Sequence, residues 1–150
     1  MCNDKGCAML TNAQMVDEFM KAFGQPTKCG FSDPAVLQLG MNLISEECEE
    51  LSEEVKALIK AYHAPHDCNH TLVRKHFAKE LADLLFVVYW MARAVGIDVD
   101  SAMFSVWQSN MSKLGADGKP IYREDGKVLK GPNYFEPDMA HVIETIPCEA

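Results

Sequence analysis

Along the first three-quarters of the chain, apolar residues recur at intervals of three and four, the period of a helix with one buried stripe. Four segments carry the pattern. Thr11 and Gln14 form a capping-box pair ahead of a first helix, expected from Thr11 to about Phe23 with Met15, Phe19 and Ala22 or Phe23 on its stripe. Gly24 to Pro34 is broken by glycine and proline and reads as a loop. Ser32 and Asp33 before Pro34 announce a long second helix, roughly Ala35 to Tyr62, with Ile44, Leu51, Val55, Leu58 and Tyr62 in line; Pro65 closes it. A third helix, about Leu72 to Val95, carries Val73, Phe77, Leu84, Val88 or Val87, and Met91, and ends at Gly96. A fourth, about Ser101 to Lys113, is capped by Asp98 or Asp100 and ends at Gly115.

Beyond Gly115 the period changes. Ile121 to Glu124 and Lys127 to Lys130 flank Asp125-Gly126, a two-residue hairpin signal, and Gly131-Pro132-Asn133 ends the pattern. The expected architecture is all-α: one domain over residues 1–150, a four-helix bundle over about 11–114 and a short C-terminal β-hairpin tail over about 115–150. A chain of 150 residues can bury one core and has too little for two comfortable ones.

Charge narrows the classes of partner. With 14 Lys and Arg against 22 Asp and Glu the formal net charge is −8, the opposite of a nucleic-acid or anionic-membrane footprint. The longest uncharged apolar run, Leu84 to Ala92, has nine residues, far short of the roughly 20 a membrane-spanning helix needs. The polar start, Met1 to Leu10, has no apolar core of a secretory signal, and the six cysteines contain no C-x-x-C pair. Reduced thiols in a cytoplasmic protein are therefore expected. His63, His66, Asp67, Cys68 and His70 are dense, but they match no zinc-finger spacing and read as a polar connection.

The informative residues are carboxylates at positions where a core should be. The second helix holds Glu46, Glu47, Glu49, Glu50, Glu53 and Glu54, six glutamates in nine residues, and such a run is ordinarily a solvated face. Its apolar stripe, however, lacks a member at the turn of positions 47 and 48, so Glu47 points where a core residue belongs, with Glu46 and Glu50 within one turn. In the third helix Glu80 fills the gap between Phe77 and Leu84, and Asp83 follows one turn on within an otherwise apolar stretch. A helix so apolar is expected to be buried on most sides, which leaves Asp83 paired, protonated or bound to a cation. Packed antiparallel, the two helices bring two i, i+3 carboxylate pairs, Glu47/Glu50 and Glu80/Asp83, into one cleft. Lys79 is expected to point away from Glu80, and Arg93 lies more than two turns further along, so a hard divalent cation is the obvious counter-charge.

Glu46-Glu47-Cys48-Glu49-Glu50 and Glu80-Leu81-Ala82-Asp83 resemble the E-E-x-x-E and E-x-x-D signature of the all-α nucleoside triphosphate pyrophosphohydrolases, the superfamily of MazG-like enzymes, phosphoribosyl-ATP pyrophosphatase and the dimeric all-α dUTPases. The resemblance covers Phe19 to about Asp138, with an interval between Glu50 and Glu80 at the long end for that group. It implies an oligomeric four-helix fold holding Mg2+, or Mn2+ in its place, on Glu47, Glu50, Glu80 and Asp83, with Glu46 as a further ligand or orienting the attacking water alongside Glu47. The implied reaction is hydrolysis of a (deoxy)nucleoside triphosphate, dUTP or dGTP foremost, between the α and β phosphates to monophosphate and pyrophosphate, in nucleotide-pool control.

Positive charge for such a substrate gathers late in the chain: Lys113, Lys119, Arg123, Lys127 and Lys130 fall within 18 positions. Asn110-Met111-Ser112-Lys113 resembles the Asn-x-x-Lys stretch that contacts nucleotide in that superfamily, and Lys127, Lys130 and Tyr134 are candidates to close over phosphates. Phe19 and Phe23 are candidates to stack on a base, against the plainer reading of a core pair; Trp90 and Trp107 read as core or oligomer contacts. Faces as broad as Leu81 to Met91 exceed what one small bundle covers, so a homodimer or a dimer of dimers is expected. Two alternatives remain open at this level. A carboxylate-bridged di-iron bundle wants Glu-x-x-His pairs, which are absent from these helices, and an inactive adaptor of the same fold has no need of the intact carboxylates.

Overall fold

The computed structural model describes residues 9–63 and 70–143. These hold four helices, α1 (Asn12–Ala22), α2 (Pro34–His63), α3 (His70–Val95) and α4 (Val99–Met111), and no strand. The chain divides into two compact units, one ending at Gly96 with α1 to α3 and one starting at Ile97 with α4 and the tail. No described helix is long and apolar enough to cross a membrane.

In the first unit the local signals operate as chemistry requires. The Thr11 hydroxyl accepts from the Gln14 N–H at 3.2 Å and Gln14 Oε1 accepts from the Thr11 N–H at 2.8 Å, which satisfies two donors that α1 would leave orphaned. Asp33 Oδ1 accepts from the Ala35 N–H at 2.9 Å at the start of α2, where Pro34 has no N–H to satisfy. Between these helices the loop closes onto the end of α3: the N–H groups of Lys28 and Cys29 donate to the carbonyls of Arg93 and Ala94 at 2.9 and 2.7 Å. Trp90 Nε1 donates to Gln25 Oε1 at 2.7 Å and Arg93 Nε to Asp17 Oδ1 at 2.7 Å, so the loop and α1 are both pinned to the last turns of α3.

The core gathers there too: Val16, Met20, Val36, Trp90 and Ala94 are buried, with Phe19, Leu43, Phe86, Tyr89 and Met91 packed around them. Two expected stripes shift in consequence. On α1 the buried pair is Val16 and Met20, while Met15 and Phe23 are exposed, because α3 meets α1 one residue round from the predicted line. On α2, Val55 and Tyr62 are exposed, since α3 covers only part of its C-terminal half.

α2 and α3 run antiparallel. Gly40 lies against Met91, Glu47 against Glu80 and Asp83, and Glu54 against His76, so rising numbers on one helix meet falling numbers on the other. Gly40 permits a close contact with α3 here, for a Cβ there would sit 2.8 Å from Met91 Cγ.

In the second unit Asp98 caps α4, accepting from the Ser101 N–H at 3.1 Å and hydroxyl at 2.7 Å. The expected β-hairpin is a correction: one isolated bridge, Tyr122 to Val128, stands where two strands were predicted. The turn is centred on Glu124 and Asp125, with the Arg123 carbonyl accepting from the Gly126 N–H at 2.9 Å and Gly126 left-handed at φ 84°. That is the longer loop in which a type I turn precedes a left-handed glycine. Its flanks are exposed throughout 121–130, with no second layer to reward a longer ladder. Instead the chain fastens to the end of α4: Ser109 Oγ donates to the Phe135 carbonyl at 2.8 Å, and the Phe135 N–H donates to Ser112 Oγ at 3.1 Å. At Gly131 any side chain would collide with the Leu114 carbonyl.

Candidate metal centre

The middle of the α2–α3 pair brings carboxylates from both helices together. Glu47 from α2 and Glu80 and Asp83 from α3 each present an oxygen, and all three oxygens lie within 4.8 Å of one another. Glu80 and Asp83 are one turn apart and share a face. Glu80 is the buried member, 9% exposed. Asp83 differs from expectation: it is not enclosed, its side chain being 42% exposed. Glu50 sits at the rim, its side chain 49% exposed, and Glu46 is exposed. Glu49 and Glu53 face solvent, as their phase requires.

Electrostatics mark the place as strained for anions alone. Partial burial pushes the Glu47 carboxyl above its usual range, and the neighbouring Glu50, Asp83 and Glu80 push the same way, against the pull of Lys79. Lys79 is the residue that sequence reasoning turned the wrong way. Its Nζ lies 2.7 Å from Glu80 Oε2, 2.8 Å from Asp83 Oδ2 and 3.9 Å from Glu50 Oε2. The Cα–Cβ bond of position 79 does diverge from that of position 80, but the four-carbon stem bends back over the turn. The i, i+4 spacing to Asp83 was the available signal. Hydrogen bonds to Asp83 and then Glu80 raise the Lys79 pKa, so the ammonium is charged.

The donor set fits a divalent cation. Three carboxylate oxygens from two rigid helices form an all-oxygen cluster of the kind hard ions select. Lys79 already stands in for such an ion, with a positive charge against two of the three residues.

The remaining candidates are placed as follows. Phe19 and Phe23 stack on α1 with ring centroids 4.4 Å apart, but Phe19 also packs edge-on to Phe86 at 5.2 Å and belongs to the core; Phe23 is the exposed ring. Beside this face an apolar cavity of about 220 Å3 opens between α1 and α3, lined by Asn12, Met15, Ala82, Leu85, Phe86 and Tyr89 among others. In the second unit Lys113 Nζ donates to Asn110 Oδ1 at 2.6 Å. Lys130 Nζ lies 4.0 Å above the Tyr134 ring and 3.0 Å from Glu136 Oε1. Lys127 is exposed beside the turn, where its N–H donates to Asp125 Oδ1 at 3.1 Å. Of the cysteines, Cys29 and Cys48 are free thiols; 2, 7, 68 and 148 lie outside the described residues, as do His66, Asp67 and Cys68 of the polar connection.

An all-α chain whose antiparallel helices bring three carboxylates together is, as a class, a helical protein with an acidic cluster able to hold a metal ion. Residues 37–116, more than half the chain and covering nearly all of α2 and the whole of α3 and α4, match the family model of the MazG nucleotide pyrophosphohydrolase domain. The chain belongs to that family. No curated protein matches it.

Proposed function

We propose that the protein hydrolyses a nucleoside triphosphate between its α and β phosphates, releasing a nucleoside monophosphate and pyrophosphate. The observation that carries the reading is the convergence of Glu47, Glu80 and Asp83 in a chain of the MazG family. Mg2+ is the ion proposed, with Mn2+ as substitute, and Glu50 completes the ligand set from the rim. Bound there, the ion would neutralise phosphate charge and acidify an attacking water.

The chain's own groups do the rest. Glu47 is a ligand and, with Glu46 one position away, a catalytic carboxylate; Glu46 is a further ligand or orients the attacking water, and a carboxylate within reach takes the water's proton. Asn110 and Lys113, with Lys127, Lys130 and Tyr134 of the tail, contact the nucleotide. Phe23 offers a ring for the base and Phe19 supports it from the core side. A deoxynucleotide, dUTP or dGTP, is the proposed substrate. The protein works as a homodimer or a dimer of dimers, a reading supported by the large apolar residues exposed on α2 and α3, among them Leu39, Met41, Ile59, Leu81 and Leu85.

Steady-state kinetics of single variants test the assignment. Glu47→Gln and Asp83→Asn should each remove turnover by about a hundredfold or more, the scale of lost metal-site groups, with an unchanged helical circular dichroism spectrum. Asn110→Ala and Lys113→Ala should mainly raise KM. Near-normal turnover in either carboxylate variant would mean that this cluster is not the catalytic centre.

A further inference from the structure

Lys79 does more than balance charge. Its ammonium is hydrogen-bonded to Glu80 Oε2 and Asp83 Oδ2, on the same two residues that give the cluster its α3 side. A Mg2+ ion approaches carboxylate oxygens to about 2.1 Å. An ammonium on those two carboxylates and a dication on them would be like charges in near contact, so the two occupants exclude one another. Lys79 is also able to leave. Its side chain is 60% exposed, and its unbranched stem has rotamers open to solvent, whereas Glu80 is held in the packed middle of α3.

We propose that Lys79 is an exchangeable counter-ion of the metal centre: it fills the cluster in the metal-free protein, is displaced by the divalent ion, and then holds a phosphate oxygen of the incoming triphosphate. Once the ion satisfies the carboxylates, the displaced ammonium remains tethered at the mouth of the cleft. The strongest anion to arrive there is the substrate's phosphate chain, for which a mobile ammonium is a ready partner. Lys79 thereby sets the ion concentration at which the centre loads and positions the phosphates afterwards. This inference rests on the metal-centre reading of Glu47, Glu80 and Asp83.

Manganous ion titrated into the full-length, nucleotide-free protein, followed by calorimetry, tests the exchange. If the ammonium occupies the cluster most of the time, Lys79→Met should tighten Mn2+ binding about tenfold, the reciprocal of the fraction left open. Lys75→Met removes an equal charge from the same helix one turn away and should tighten binding far less. Unchanged or weaker binding in Lys79→Met, or equal gains in both variants, would overturn the displacement. Kinetics at saturating Mn2+ test the second half: KM should rise severalfold in Lys79→Met with kcat changed less, and Lys79→Arg should recover part of it. An unaltered KM would overturn the phosphate contact. Failure of the underlying reading looks different, for then wild-type protein would show no saturable Mn2+ binding that Asp83→Asn removes.

Discussion

Glu47 is held in conflict. In its proposed role as a ligand it needs its charge, yet burial and three acidic neighbours favour the protonated form. A cation resolves the conflict, so the ion and Glu47 should stabilise the fold only together. Saturating Mg2+ is expected to raise the unfolding temperature of the wild-type protein, by mass action about 2.7 kcal/mol at a hundred times the dissociation constant. Glu47→Gln should raise the stability of the metal-free protein slightly and lose most of the Mg2+ shift. Scanning calorimetry with and without Mg2+ distinguishes these signs; an equal shift in both proteins would place the ion elsewhere. At this scale the carboxylates were legible because Glu47 and Glu80 each fill a gap in a helical stripe and Asp83 is a charge within an apolar stretch, signals that periodicity and composition expose directly. The course of Lys79 was not. Periodicity tracks Cα–Cβ directions, while a long flexible side chain ends where the electrostatic field takes it, across a turn and onto Glu80 and Asp83.

Among the elements, α2 and α3 carry the carboxylate cluster, and their register decides whether its members meet. Gly40 packs directly against the Met91 side chain, with no room for a Cβ between them. Gly40→Val should cost about 1–3 kcal/mol by overpacking, despite the better intrinsic propensity of a residue with a Cβ inside a helix, and should weaken Mn2+ binding as the helices part. Urea denaturation reads the first effect and metal titration the second; a stabilised variant with intact binding would show that the contact is loosely packed. Helix ends were readable to within a residue or two. Thr11 with Gln14, Asp33 before Pro34, and Asp98 are side chains that satisfy specific orphan N–H groups, and they act locally. The stripe on α1 was read one residue out because Met15 and Val16 are both apolar, and only the position of α3 chooses between them. The tail misled for a related reason. Asp125-Gly126 is a turn signal, but strands need a partner layer, and the flanks of this turn have none.

For the whole molecule, the apolar residues left exposed on α2 and α3 are the ground for the proposed homodimer or dimer of dimers. Sedimentation equilibrium should return at least two chains per particle, and replacing both Leu81 and Leu85 by Lys should lower that number; a monomer with full activity would remove assembly from the account. The central claim is the reaction itself. Its most direct test incubates the full-length protein with each common ribo- and deoxynucleoside triphosphate, dUTP included, with and without Mg2+ or Mn2+, and resolves pyrophosphate from orthophosphate by phosphorus NMR. The account predicts monophosphate and pyrophosphate in equal amounts, from one or a few nucleotides and only with the metal present. Orthophosphate and a diphosphate as products, turnover without metal, or silence across the whole panel would contradict it.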